Sequence, residues 1–249
     1  MSNEKTEGIV IRQVDFSETS RVVTWFTRDW GKIATMAKGA KRLKGPFEAA
    51  IDLLSHCRIV FIRKSSSTLD LLTQADLVSK FQLEDRDLTG LYGGYYIAEL
   101  LDRMFEDYDP HPELFDFTIE CLERIGSRPD PKNELIRYEL FLLREIGHLP
   151  RWDVCIACEK PLKENGPYEF WLSQGGLLCQ ECQKSEYRRN PVDDDTLKIL
   201  NRFSQIDRSS STAVEFEIEE KHRKQMRPIL TAVVSDLLGQ RPKLIRYIS

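Results

Sequence analysis

The apolar residues change their rhythm near residue 80, and that change limits the chain to a small sheet followed by helices. Up to residue 80 they fall in five short runs rich in Val, Ile and aromatics: "TEGIVIRQV", "SRVVTWFTR", "GKIATMAKG", "LSHCRIVFIRK" and "TLDLLTQADLV". Each has the length and composition of a strand. "RDWGK" joins the second to the third, with Gly31 giving the backbone freedom of a tight hairpin, and the Ser-rich "SSST" joins the fourth to the fifth. Between the third and fourth, "KGAKRLKGPFEAAID" leaves room for a mobile loop and a short helix. Five strands with an insertion after the third predict an OB-fold barrel, with a generic SH3-like barrel as the structural rival.

Beyond residue 81 the spacing is helical. "LTGLYGGYYIAELLDRMFEDY" sets Leu91, Tyr95, Ala98, Leu101 and Phe105 on one stripe, and its glycines suit close helix packing better than a dinucleotide site. "PELFDFTIECLERIG" runs from Pro112 to a stop at Gly126. "DPKNELIRYELFLLREIGHLP" offers Asp130 as cap, Pro131 at the first helical position, a stripe of Leu135, Tyr138, Leu142 and Ile146, and Gly147 as the stop. "PVDDDTLKILNRFSQI" predicts a helix capped by its Asp run, and a last long helix ends at Gly239 and packs back on the earlier ones.

Interrupting these helices, Cys155-x2-Cys158 and Cys179-x2-Cys182 are separated by 20 residues, the spacing of a four-cysteine structural zinc site. "FWLSQGGLL" supplies a hairpin to bring the pairs together. Four thiolates fill a tetrahedral ion and leave no position for a reactive water. Glu159 and Gln183 stand where such knuckles often carry glycine, and Cys57 and Cys121 sit in apolar runs as core residues. The expected architecture is α+β and multidomain: an OB-fold barrel over 1–80, and an all-helical domain over 81–249 with a zinc-ribbon-like module inserted at about 152–186.

The formal net charge of −4 hides an asymmetry. Residues 1–80 hold 13 Lys and Arg against 9 Asp and Glu, while the remainder holds 23 against 31. The basic excess centres on "MAKGAKRLKGP", with Lys38, Lys41, Arg42 and Lys44 and two glycines but no acid. A loop after the third strand rims the face on which OB-folds bind oligonucleotides. These four cations are therefore candidate phosphate contacts, which Arg12, Arg21, Arg28 and Lys32 extend along the strands. Such a loop also serves simply as a solvated surface. Trp30 at a hairpin tip is either a base-stacking platform or a plug for the barrel end; Trp25, in mid-strand, reads as core. The first 30 residues carry charges throughout, no apolar run nears the ~20 residues of a membrane span, and a cytoplasmic location is expected. The chain lacks G-x-x-x-x-G-K-[ST], H-E-x-x-H and G-x-S-x-G, so a binding protein is expected rather than an enzyme.

The order "EGIVIRQVDFSETSRVVTWFTRDWGKIATMAKGAKR", then "YELFLLREIGHLPRWDVCIAC", then "GGLLCQEC" resembles the bacterial recombination mediator RecO family over nearly the whole chain. The resemblance implies DNA repair and recombination without nucleotide hydrolysis. It also implies binding of single- and double-stranded DNA, annealing of complementary strands, and contact with the tail of the single-stranded-DNA-binding protein. With RecR, such proteins help load RecA onto coated strands. An acidic tail with an apolar end needs cations around an apolar pocket, and Arg137, Phe141, Arg144 and His148 share one stripe of the third helix. Glu134 and Glu145 are positioned to neutralise the same face. A zinc-ribbon OB-fold factor acting on RNA or in translation is the alternative function.

Overall fold

The computed structural model describes residues 2–42, 45, 47, 50–64, 69–84, 88–127, 130–162, 166, 168–184, 189–205 and 218–248. The chain divides into two compact units, Met1–Pro131 and Lys132–Tyr247.

In the first unit, β1 (Asn3–Asp15), β2 (Arg21–Thr27), β3 (Gly31–Ala37), β4 (His56–Ile62) and β5 (Asp70–Ser79) form a closed barrel in the order β1-β2-β3-β5-β4. The ring closes where β4 pairs antiparallel with β1 and where β5 runs parallel to β3. This crossover order is that of the OB-fold and not of a simple meander. Val23, Trp25, Ile33, Ile59 and Phe61 point inward and are almost wholly buried. The predicted tight hairpin is present: Gly31 has φ +63°, and a Cβ there would lie 2.0 Å from the carbonyl oxygen of Asp109.

Where a short helix was expected after the basic loop, the described residues form turns instead. The reason is burial, since Phe47, Ala50 and Ile51 turn inward and join the barrel core. The "SSST" connection lies outside the described residues.

The helices α1 (Leu88–Met104) and α2 (Pro112–Ser127) complete this unit. On α1 the buried face runs through Gly90, Gly94, Ile97 and Leu101, one position off the predicted stripe at its start. A Cβ on Gly94 would approach Leu54 and Phe81 to 2.8 Å, so these glycines permit close packing, as their pattern suggested. Phe105, beyond α1, and Phe115 of α2 pack against Phe26 of β2 at centroid distances of 5.4 and 6.5 Å.

In the second unit, α3 (Lys132–Glu145) buries Leu135, Tyr138 and Leu142 and ends at Gly147, φ +74°. The Gly147 and His148 amides donate to the carbonyls of Arg144 and Leu143, the paired bonds of a Schellman stop. α4 (Asp194–Gln205) is capped by Asp193, whose Oδ1 accepts the Thr196 amide at 2.7 Å. α5 (Glu220–Leu238) passes through Pro228 and ends at Gly239 in the left-handed region. It packs on α3 and α4. Arg227 Nη2 donates to both carboxylate oxygens of fully buried Glu139 at 2.5 Å. Breaking such a pair leaves a charge stranded in the core. A three-stranded sheet, β6 (Tyr168–Trp171), β7 (Gly176–Leu178) and β8 (Arg189–Val192), is ordered β7-β6-β8 and carries the cysteine region beyond the expected limit of 186.

Gly31→Ala combines a left-handed backbone with a collision against Asp109, and is expected to lower stability by roughly 2–5 kcal/mol in urea unfolding. Asp193→Ala removes the α4 cap and is expected to cost about 1 kcal/mol. Burial opposes ionisation of Asp193, but hydrogen bonds from Thr196 and Gln225 and the nearby His222 outweigh it and lower its pKa below 3.8. Its contribution is thus complete above 3.8 and is lost as the pH falls through the lower folded value. The gap between wild type and variant is expected to close in acid.

Candidate nucleic-acid interface and cysteine cluster

β-Strand periodicity sends alternate residues of β2 and β3 to the outside of the barrel. One half of that outer face is covered, because Phe26 lies under Phe105 and Phe115. The hairpin that ends this half carries Arg28, Trp30 and Lys32, each already engaged. Arg28 Nε and Nη2 donate to the two oxygens of Asp116 at 2.9 Å, which raises the Arg28 pKa. Lys32 Nζ donates to the Asp102 carbonyl at 2.8 Å and lies 3.6 Å from Asp107. Trp30 stands edge-on to Phe61 at 6.1 Å, packed against the barrel core, with the Arg63 guanidinium 5.1 Å over its ring.

At the opposite end, roughly 20 Å away along seven-residue strands, lie Arg21, Lys38, Lys41 and Arg42, while Arg12 sits mid-strand opposite Thr24 and shares Asp102 with Lys32. The eight described candidates therefore do not form one patch. Asp15 at the end of β1 receives Arg21 Nε at 2.9 Å and Lys41 Nζ at 3.0 Å, and these two bonds hold its carboxyl below the usual range, Lys41 first. The Lys41 amide also donates to the Thr19 carbonyl at 3.1 Å, and its ammonium to that of Ser17 at 3.4 Å. The basic loop is thus latched to the β1–β2 loop, a contact that strand spacing gave no means to foresee. Lys38 and Arg42 are exposed and make no ion pair among the described residues. Arg12 is 60% exposed, with Asp102 at 3.8 Å. Lys44 lies outside the described residues. Gly45 lets the loop fold on itself, since a Cβ there would meet the Gly39 carbonyl at 2.7 Å.

In the second unit, Arg137 and Arg144 have different surroundings. Arg137 donates to buried Glu134 at 2.9 Å, and its side chain is only 11% exposed. Arg144 lies 4.9 Å over the ring of half-buried Phe141 and donates to the Phe203 carbonyl at 3.3 Å. The last two residues are adjacent, and Arg137 is committed to its own helix.

The four paired cysteines converge: the Sγ atoms of Cys155, Cys158, Cys179 and Cys182 all lie within 4.8 Å of one another. Sulfurs around an ion at ~2.3 Å would sit about 3.8 Å apart, and Cys158 and Cys179 are at 3.9 Å. The donor set therefore fits a soft divalent metal. The hairpin of β6 and β7 carries the second pair in, and Gly176 lets the first knuckle approach, since a Cβ there would lie 2.5 Å from Ile156. Burial disfavours the Cys155 thiolate, but amides from Cys179, Cys158 and Ala157 outweigh it and bring its pKa to about 6. Its neighbours answer in kind: hydrogen bonding with Cys179 and Cys158 pushes Cys182 to about 12. Without a cation the cluster holds one ready thiolate; a divalent ion favours ionisation of the others. Glu159, at the position where glycine is common, adopts φ +60°. Cys57 and Cys121 are buried in cores, as their runs suggested.

An OB-fold barrel with a latched basic rim, joined to a helical unit carrying a four-cysteine cluster that could hold a metal ion, defines the class. The description "Recombination protein O N terminal" matches residues 1–81, and "Recombination protein O C terminal" matches residues 85–244. A "DNA repair protein RecO" from Rhodopirellula baltica is 34% identical, over 95% of this chain and 96% of its own. Proteins of the same name from Anaeromyxobacter dehalogenans, strain 2CP-1, and Listeria monocytogenes serotype 4b are each 31% identical, over 100% and 87% of this chain and 96% and 84% of their own. The chain belongs to the recombination protein O family.

A left-handed backbone costs a non-glycine residue about 1 kcal/mol or more. Glu159→Gly is therefore expected to tighten Zn²⁺ binding severalfold in competition with a chromophoric chelator, whereas Cys179→Ser is expected to abolish it.

Proposed function

We propose that the protein is a non-enzymatic mediator of DNA repair and recombination in the cytoplasm. It binds single- and double-stranded DNA, anneals complementary strands without ATP and, with RecR, helps load RecA onto DNA coated by the single-stranded-DNA-binding protein. Family membership over the full length supports this reading, and one structural observation carries it. At the uncovered end of an OB-fold barrel, Lys38 and Arg42 are exposed and make no ion pair among the described residues, with Arg21 and Lys41 beside them. Exposed cations with no acid partner among the described residues suit a ligand that brings its own charge, and phosphates do so at a regular spacing. Contacts of this kind position a strand without reading its sequence, which suits a protein that must pair any two complements.

The reading gives the DNA contacts to Lys38, Arg42, Lys41, Arg21 and Arg12, with Lys44 on the same loop. Arg28, Lys32 and Trp30, engaged with acids and the barrel core at the far end, are structural. The cysteine cluster holds a structural zinc: four thiolates complete a tetrahedron and clamp the hairpin to the knuckle, with no role in chemistry. For the acidic tail of the single-stranded-DNA-binding protein, Arg144 and Phe141 are the favoured pair, an apolar ring with a cation over it. Arg137 supports them through Glu134.

The double variant Lys38→Glu, Arg42→Glu is expected to weaken binding to a fluorescent oligonucleotide and to flatten its log K against log salt slope by at least roughly 1.4 on single strands, about 0.7 for each lost phosphate contact. It is expected to slow ATP-free annealing in parallel, with metal content unchanged. Unaltered affinity and slope would place the DNA elsewhere.

A further inference from the structure

The uncovered end of the barrel carries more than charge. Phe16, in the β1–β2 loop, is 63% exposed, and Val14 two residues earlier is 47% exposed. Their orientation follows from an irregularity in β1. Up to Val10 the strand pairs residue for residue with β2, Ile9 opposite Phe26 and Val10 opposite Trp25. The register then shifts between Val10 and Arg12, so that Ile11 has no opposite number and Arg12 pairs with Thr24. Without this bulge Arg12 would face inward beside Trp25, and Val14 with it. With it, Arg12 and Val14 lie on the outer face.

Directly opposite residues of a sheet share a face. Val14 pairs with Val22, Val22 with Met36, and Met36 with Leu71, so an apolar row crosses four strands on the outside of the barrel. Phe16 stands at its end. The loop that holds Phe16 is fixed by the Lys41 latch: Lys41 contacts Asp15 and Ser17, the residues on either side. An aromatic ring is thereby held next to the Lys41 latch, on the loop to which the basic segment is tied.

We propose that Phe16 is a base-stacking residue, and that with the Val14–Val22–Met36 row it gives the barrel its preference for unpaired over paired strands. The inference rests on the nucleic-acid reading above. The occupant is fixed by the combination of groups. The cations call for a polyanion, and the apolar row for a ligand with flat, poorly hydrated faces to bury. A single strand offers both, whereas a duplex keeps its bases stacked inside and offers only phosphates. Arg28, Lys32 and Trp30 offer no such surface, since their apolar neighbours are already covered.

The test uses the full chain and fluorescence anisotropy with a dT oligomer and with a hairpin duplex, each over a range of salt. Phe16→Ala is expected to weaken dT binding by about tenfold, within the range of one base–aromatic stack, with duplex affinity and both salt slopes unchanged. Phe16→Trp is expected to restore dT binding and to show indole quenching on addition of dT, above that of the wild type. Because Phe16 is exposed, neither change disturbs the core. If the wild type binds dT with a salt slope and Phe16→Ala binds equally well, the stacking role is overturned and the phosphate-binding reading stands. A loss equal for dT and duplex likewise overturns it. If the wild type binds neither ligand, the nucleic-acid reading itself falls.

Discussion

The barrel depends on a very short parallel seam. Among the described residues β3 and β5 meet at two residue pairs, Thr35 with Asp70 and Met36 with Leu71, and these close a sheet that would otherwise have two open edges. The inward pair is tied by hydrogen bonds. Trp25 Nε1 donates to Thr35 Oγ1 at 2.9 Å, which in turn donates to the Val23 carbonyl. The buried Asp70 carboxylate accepts the Lys64 amide at 3.0 Å and the Tyr108 hydroxyl at 2.7 Å. Burial pushes that tyrosine up to about 12, so it remains a donor across the physiological range. A carboxylate in this position is tolerable only because it is so fully bonded. The outward pair, Met36 with Leu71, is the other face of the same closure and extends the apolar row of the open end. Closure and the proposed binding surface are thus one piece of geometry.

What the rest of the first unit does is select which part of the barrel stays available. α1 and α2 cover Phe26, acids at Asp107 and Asp116 take up Lys32 and Arg28, and Asp102 takes up Arg12 through its carboxylate and Lys32 through its carbonyl. Asp15 takes up Arg21 and Lys41 but uses these bonds to hold the chain on either side of β2 and β3 together. Lys38 and Arg42, exposed and without an ion pair among the described residues, lie at the end of the barrel that carries the apolar row. Net charge over the whole chain conveys none of this, since a field felt by a polyanion is set by arrangement.

Much of this was legible in advance. Strand runs, the Gly31 hairpin, the Gly147 and Gly239 stops and the cysteine spacing all rest on local chemistry that a sequence displays directly. Glu159 was visible as an odd residue at a knuckle, and its positive φ is the physical form of that oddity. The placement of cations was not legible, because period two says which residues alternate but not which end of a strand a helix will cover. A one-residue bulge at Ile11 decides the side on which Arg12 lies, and no residue type announces it. The stripe on α1 was misplaced at its start for a related reason: Gly90 and Gly94 look like gaps in an apolar pattern, yet their missing side chains are what Leu83, Leu54 and Phe81 fill. Asp116 and Asp102, which claim Arg28 and Lys32, lie some 70 to 90 residues away in the chain. Phe16 was passed over because a single aromatic in a polar loop carries no pattern.

Amide hydrogen exchange on the full chain, with and without a saturating dT oligomer, addresses the central claim most directly, namely that nucleic acid is held at the latched, uncovered end of the barrel while the cysteine cluster only clamps its module. The account predicts slowed exchange over residues 14–22 and 36–42, with the segments around Cys155 to Cys182 unchanged. Protection confined to the cysteine region or to α3–α5, with the two latched loops exchanging as before, would contradict it.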